Sequence, residues 1–163
     1  MQQLGAPPEA VAFSKLLGGD GYMTSFREFG KVDLAQVFFP ARANGNWQYF
    51  LVNGTPRVVD VADDTLLKRV KDVDLPKDRL YTSLHEKYAE LMLWEGDHEF
   101  VSAKRRRDGG QQFVFSYNIN NACHADWTGY IALVRVDFSP NGKLGGTRLL
   151  HVEKKRPRKP LGR

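Results

Sequence analysis

The sequence predicts an α+β fold: a curved antiparallel sheet with an N-terminal helix and middle helices packed on one of its faces. Two observations predict this class. Between residues 111 and 152, apolar and polar residues alternate in three runs separated by turn signals, which is typical of an antiparallel meander. Further upstream, helical patterns stand before and after a group of strands, whereas a βαβ fold would alternate helix and strand.

The N-terminal half begins with a predicted helix from Pro8 to Leu17, because proline fits a first helical turn and a glycine follows as the stop. Two alternating runs predict strands at 22–29 and 32–39. Asn53-Gly54 lies between two further apolar runs and supplies the positive φ angles of a tight turn. It therefore predicts a β-hairpin.

Two helices are predicted in the middle of the chain. Asp63 or Asp64 fits the N-cap of the first, and Pro76 lies just before the second, which we expect from residue 77 or 78 to Tyr88. Apolar residues recur at helical spacing in both, so each helix has one buried face. These residues are Leu66, Leu67, Val70 and Val73 in the first helix and Leu80, Leu84 and Tyr88 in the second.

The C-terminal half predicts four long strands. A short apolar run ends at the polar break 95–98, and the next strand reaches the turn Asp108-Gly109-Gly110. Residues 139–143 form a further hairpin turn, between strands 128–138 and 144–152. In the strand after Gly110 every second side chain is apolar, so we expect these side chains in the core. They are Phe113, Phe115, Tyr117 and Ile119.

This order of elements resembles that of cystatin-like and NTF2-like half-barrels, in which long strands wrap a helix. The resemblance lies in element order alone. Because such folds host enzymes, carriers and scaffolds, it implies a fold and no particular function.

Length and composition predict one α+β domain over residues 1–153. A chain of 163 residues has the size of an ordinary domain, and 42% hydrophobic residues exceed what disordered chains contain. A single cysteine, Cys123, excludes an intramolecular disulfide and with it the disulfide-stapled class. No apolar run approaches the roughly 18 residues of a membrane helix, so we expect no membrane span.

Compartment and oligomeric state stay open at this point. Residues 1–8 have neither the basic start nor the apolar run of a secretory signal. We expect a soluble protein that is either cytoplasmic or exported with its signal already removed.

The net charge of +5 is concentrated at the C-terminus. Six of the residues 154–163 are Lys or Arg, and two prolines interrupt them, so we expect a basic, disordered tail. A second basic cluster, Lys104 to Arg107, falls at a hairpin tip, where alternate side chains point to opposite faces. We do not expect nucleic acid as a partner, and an adaptor that binds it through the tail stands as a second alternative function.

One strand connection carries Cys123, His124, Asp126 and Trp127 within five residues. A catalytic cysteine needs a base beside it, but neighbours on an extended segment point to opposite faces. Either the segment turns sharply or His98 supplies the base. The alternative function is thus a cysteine-dependent hydrolase or transferase. We favour the other interpretation, in which the cysteine lies at a sheet corner and its polar neighbours bind loop backbone.

A metal site would need histidines and carboxylates that converge. No two histidines lie within five residues of each other, the spacing on which short zinc motifs depend. We therefore predict no metal and no cofactor. The residues considered are His85, His98, His124, His151, Asp97, Glu99 and Asp126.

The favoured function is non-catalytic binding of a small molecule or a protein, at the concave side or one end of the sheet. Ser116, Asn118 and Asn120 form the polar face of a strand, with Trp127 and Tyr130 nearby in sequence. Amides and aromatic rings can fix a ligand by hydrogen bonds and stacking without ionisation. These five residues are the predicted ligand-binding site.

Overall fold

A computed structural model of the protein describes residues 6–42, 46–122 and 126–156. Within these residues the fold is α+β, as predicted, and eight strands form two four-stranded antiparallel sheets. Each sheet is a meander whose neighbouring strands are also neighbours in sequence. The first sheet comprises β1 (Tyr22–Arg27), β2 (Asp33–Phe38), β3 (Trp47–Val52) and β4 (Val58–Asp60). The second comprises β5 (Leu91–Arg105), β6 (Gln111–Asn121), β7 (Asp126–Phe138) and β8 (Leu144–Lys154).

The predicted helices are present but shorter. They are α1 (Pro8–Leu16), α2 (Asp64–Arg69) and α3 (Arg79–Leu84), with a π turn (Val70–Asp74) and a 3₁₀ turn (Leu75–Lys77) between the last two. Asp63 caps α2, since its carboxylate accepts the Thr65 N–H at 2.7 Å, and Asp78 caps α3 through the Tyr81 N–H at 2.9 Å. No helix of the described residues is long and apolar enough to cross a membrane.

The first sheet is covered on both faces. Leu34 and Leu51 lie on the face that joins the main hydrophobic core with the second sheet, whereas Ala35 and Phe50 lie on the other face with Phe13 of α1. The sequence predicts one curved sheet with the helices on one of its faces, and the structure has two sheets. Strands β2 and β3 are apolar on both faces, so they need two covers, and a second sheet supplies one of them.

The inner face of the second sheet carries the predicted apolar stripe. Phe113, Phe115, Tyr117 and Ile119 are fully buried and belong to the core that also contains the middle helices. The predicted break at 95–98 is instead a bulge within one continuous strand, because the β5–β6 register shifts between Trp94 and His98 and then resumes.

The middle helices are tethered to β8, an edge strand of the second sheet. Thr147 Oγ1 donates to Leu66 O at 2.7 Å, in α2. Further along β8, the Leu149 N–H donates to the Asp74 carboxylate at 3.0 Å, and the Val152 N–H donates to Asp78 at 3.3 Å. Side chains from the helices therefore satisfy backbone donors on the free edge of β8. This tether sets the distance between α2 and β8.

Candidate functional site

The five predicted ligand-binding residues lie on two different faces of the second sheet. Ser116, Asn118 and Asn120 alternate with the buried stripe of β6 and therefore occupy the outer face, away from the core. Trp127 pairs with Asn120 across β6 and β7 and is 51% exposed. Tyr130 pairs with Ile119 and packs against the core, on the inner face. The sheet therefore separates Tyr130 from the polar row of β6.

The outer face forms its own network. Asn118 Nδ2 donates to Asp97 Oδ2 at 2.8 Å, and Lys155 Nζ lies 5.6 Å from the centre of the Trp127 ring. Asn120 is only 4% exposed, and its Oδ1 has no hydrogen-bond partner within the described part of the chain. These contacts lie on the outer face of the sheet, where Ser116 and Asn120 are buried and Trp127 is exposed. None of the five predicted residues lines either of the two cavities described below.

The candidate catalytic segment is placed only in part. Cys123 and His124 lie outside the described residues, and so does the side chain of Asp126, whose backbone pairs with Asn121 at the start of β7. The cysteine hypothesis therefore stays a prediction from the sequence.

His98, the other candidate base, is a buried residue between the two sheets. Its Nδ1 donates to Glu95 O at 2.7 Å, and its Nε2 accepts the Tyr49 N–H at 3.4 Å. Burial lowers the pKa of this imidazole, so the ring is neutral with its proton on Nδ1. The Tyr49 and Tyr117 rings pack against it, with centroids 5.8 and 5.7 Å away. Nε2 thus links β5 to β3, and Nδ1 hydrogen-bonds within β5.

The residues considered for a metal are dispersed. His85 ends α3, whereas His151 lies on β8 with its Nε2 3.2 Å from Glu153 Oε2. No three His, Cys, Asp or Glu side chains converge in a metal-binding arrangement among the residues that the structure describes.

The basic cluster lies at the tip of the β5–β6 hairpin, as predicted. Lys104 and Arg105 end β5, and the turn that follows contains an ion pair of 2.5 Å between Arg106 and Asp108. Residues 157–163, most of the predicted basic tail, lie outside the described residues.

The main cleft lies between β4, the first turns of α2 and the start of β8, and has a volume of about 450 Å³. Its walls are mainly apolar and come from two chain segments far apart in sequence. Pro56, Val58, Val59, Asp60, Asp63, Thr65, Leu66 and Arg69 form one side, and Leu144, Gly146 and Thr147 form the other.

Most polar side chains of this cleft already form hydrogen bonds within the protein. Asp60 accepts the Ala62 N–H at 2.8 Å and Gln48 Nε2 at 2.5 Å, while Asp63 caps α2. The Thr147 hydroxyl is committed to Leu66 O. The arrangement thus offers an apolar surface with few uncommitted polar atoms, which suits binding of an apolar ligand.

A second cavity of about 310 Å³ adjoins the first. It is polar, and Arg69 lines both cavities. The remaining lining residues are Asp74, Lys77, Asp78, Arg148, Leu149 and Leu150.

Sequence reasoning did not find either cavity. The residues of the main cleft carry no motif, and its two sides meet through contacts between distant parts of the chain, such as the hydrogen bond between Thr147 and Leu66, 81 positions apart. Turn, cap and strand signals predict local structure, and none of them reports which distant segments become neighbours.

Comparisons with models of known protein families, with curated proteins and with solved structures found no match.

Proposed function

We propose that this protein binds a small molecule with an apolar body in the cleft between β4, α2 and β8. The observation that carries the proposal is the cleft itself, whose volume of about 450 Å³ lies within the roughly 300–1,000 Å³ typical of ligand pockets. Apolar walls stabilise an apolar ligand by removing its surface from water, at about 25 cal/mol per Å².

The cleft is held open by contacts that do not involve a ligand. Thr147 anchors α2 to β8, and the Asp63 cap fixes the first turn of α2. A site that is formed in advance loses little conformational entropy on binding, so more of the contact energy appears as affinity. Because most polar side chains of the cleft already hydrogen-bond within the fold, we expect the protein to bind the ligand without catalysing a reaction.

A fluorescent apolar probe, N-phenyl-1-naphthylamine, tests the proposal. We expect a saturable rise in its emission with the wild-type protein, because the naphthyl ring leaves water on entering the cleft. Leu66→Trp places a larger side chain in the wall and keeps the Leu66 carbonyl for Thr147. We expect it to lower the affinity roughly tenfold, which corresponds to about 1.4 kcal/mol.

Leu16→Trp is the matched control, since Leu16 is 58% exposed at the end of α1 and lines neither cavity. Urea unfolding would first establish that both variants are folded. Non-saturable binding to the wild type, or equal affinities of the Leu66→Trp variant and the control, would refute the cleft as the site.

A further inference from the structure

We infer that the ligand is an amphipathic anion, whose apolar part occupies the main cleft and whose anionic head group lies in the adjoining polar cavity. This inference rests on the proposed function and adds the chemical class of the ligand. The head group would be a carboxylate, sulfonate or phosphate.

The two cavities share one lining residue and are next to each other along one strand. Arg69, at the end of α2, lines both of them. On β8, Thr147 belongs to the main cleft, and the next residue, Arg148, belongs to the polar cavity. A ligand in the cleft therefore lies next to Arg69, the residue that the two cavities share.

The carboxylates of the polar cavity are occupied by backbone donors. Asp78 accepts the Tyr81 N–H through Oδ1 and a β8 N–H through Oδ2. Asp74 accepts the Leu149 N–H through Oδ2, and its Oδ1 lies 3.7 Å from Arg69 Nε. Their negative charge is therefore already partly balanced by N–H dipoles, and their lone pairs are less available to a ligand.

The cations of this cavity are less engaged. Lys77 and Arg148 form no ion pair with any residue that the structure describes, and Arg69 has only the long contact to Asp74. Three cationic residues and two committed carboxylates line the cavity, which therefore has a positive excess. An anion with several acceptor oxygens can bind guanidinium and ammonium donors together.

A cationic amphiphile fits less well. The acids of the main cleft, Asp60 and Asp63, each accept backbone N–H groups, and Asp60 also accepts an amide. They lie at the end of β4 and the start of α2, whereas Arg69 ends α2 and the other two cations line the adjoining cavity. The charges thus favour an anionic head group at the Arg69 end and the apolar body towards β4.

The first test compares three ligands with the same alkyl chain by displacement of N-phenyl-1-naphthylamine at neutral pH. These are decanoate, decanol and decyltrimethylammonium. We expect decanoate to displace the probe at roughly fivefold lower concentration than decanol, because screened ion pairs each add a fraction of a kcal/mol. Added salt should reduce this preference. Equal displacement by decanoate and decanol, or strongest displacement by decyltrimethylammonium, would overturn the inference.

The second test removes two of the three head-group cations and keeps Arg69, which also lines the main cleft. In the variant Lys77→Gln/Arg148→Gln we expect decanoate to lose most of its preference over decanol, while binding of the uncharged probe is unchanged. Lys104→Gln/Lys154→Gln makes the same change in net charge at exposed positions outside both cavities, and it should keep the preference. Loss of the preference in both variants would show a general charge effect and refute the head-group site.

The two proposals fail in different ways. If the apolar probe does not bind the wild type, the proposed function fails. If the probe binds and Leu66→Trp weakens it, but charge on the ligand has no effect, only the inference about the head group fails.

Discussion

The side chain of Gln111 offers a sharp test of how the two sheets are joined. It lies at the start of β6 and is 3% exposed. Its Oε1 accepts the Val32 N–H at 2.8 Å, and its Nε2 donates to Val32 O at 2.9 Å. The amide thus pairs with the backbone beside β2 as a neighbouring strand would. In Gln111→Leu both backbone groups of Val32 lose this partner.

The expected cost follows from burial. A buried backbone donor or acceptor without a partner costs about 1–3 kcal/mol, so two of them predict a loss of about 2–6 kcal/mol in the free energy of unfolding. Domains of this kind are stable by about 5–15 kcal/mol, and the change is therefore a large fraction of the total.

Gln112→Leu is the matched control. Gln112 is also a buried amide, at 8% exposure, but its Nε2 donates to the partly buried Asp137 carboxylate on the adjacent strand, at 2.8 Å. Asp137 keeps Arg135 as a partner at 2.9 Å. This variant therefore leaves no backbone group of the other sheet without a hydrogen-bond partner. We expect a loss of about 1 kcal/mol.

Urea unfolding followed by tryptophan fluorescence measures both variants, and amide hydrogen exchange at Val32 reports the contact directly. We expect faster exchange of the Val32 amide in Gln111→Leu and unchanged exchange in Gln112→Leu. Equal stability of the two variants, with Val32 equally protected in both, would refute the reasoning.

Three further variants test the core and the helix tether by urea unfolding. Tyr117 is buried, which raises its pKa, and its hydroxyl donates to Val61 O at 2.6 Å. Tyr117→Phe leaves that carbonyl without a partner and should lower the free energy of unfolding by about 1–3 kcal/mol. No loss would contradict this hydrogen bond. Because burial lowers the pKa of His98 in the folded protein, only the unfolded chain takes up a proton at this histidine just below about pH 6.5. The free energy of unfolding should therefore fall as the pH falls, by up to about 1.4 kcal/mol per pH unit, until the folded pKa is reached. His98→Phe should remove this slope and the exposed control His151→Gln should keep it; the opposite pattern would assign the slope to another group. Asp78→Ala removes the α3 cap and a contact to β8, and it should cost about 1–2 kcal/mol; an unchanged midpoint would show that the helices do not depend on it.

Local sequence patterns were enough to predict most of the helices and strands and the side of each that is buried. The alternation in β6 placed Phe115 and Tyr117 in the core, and the pair Asp63-Asp64 indicated the start of α2, of which Asp63 is the N-cap. These predictions succeed because side-chain periodicity and helix capping depend on residues a few positions apart.

The tertiary structure alone decided what covers each apolar face and where a cavity forms. Alternation shows that a face is buried, but it does not identify the surface that buries it, so the second sheet and the position of Tyr130 did not follow from the pattern. The candidate site depends on contacts such as Thr147 with Leu66, between segments that no local signal relates. Such contacts arise from the packing of complete elements, and the cleft is the space that this packing leaves between α2 and β8.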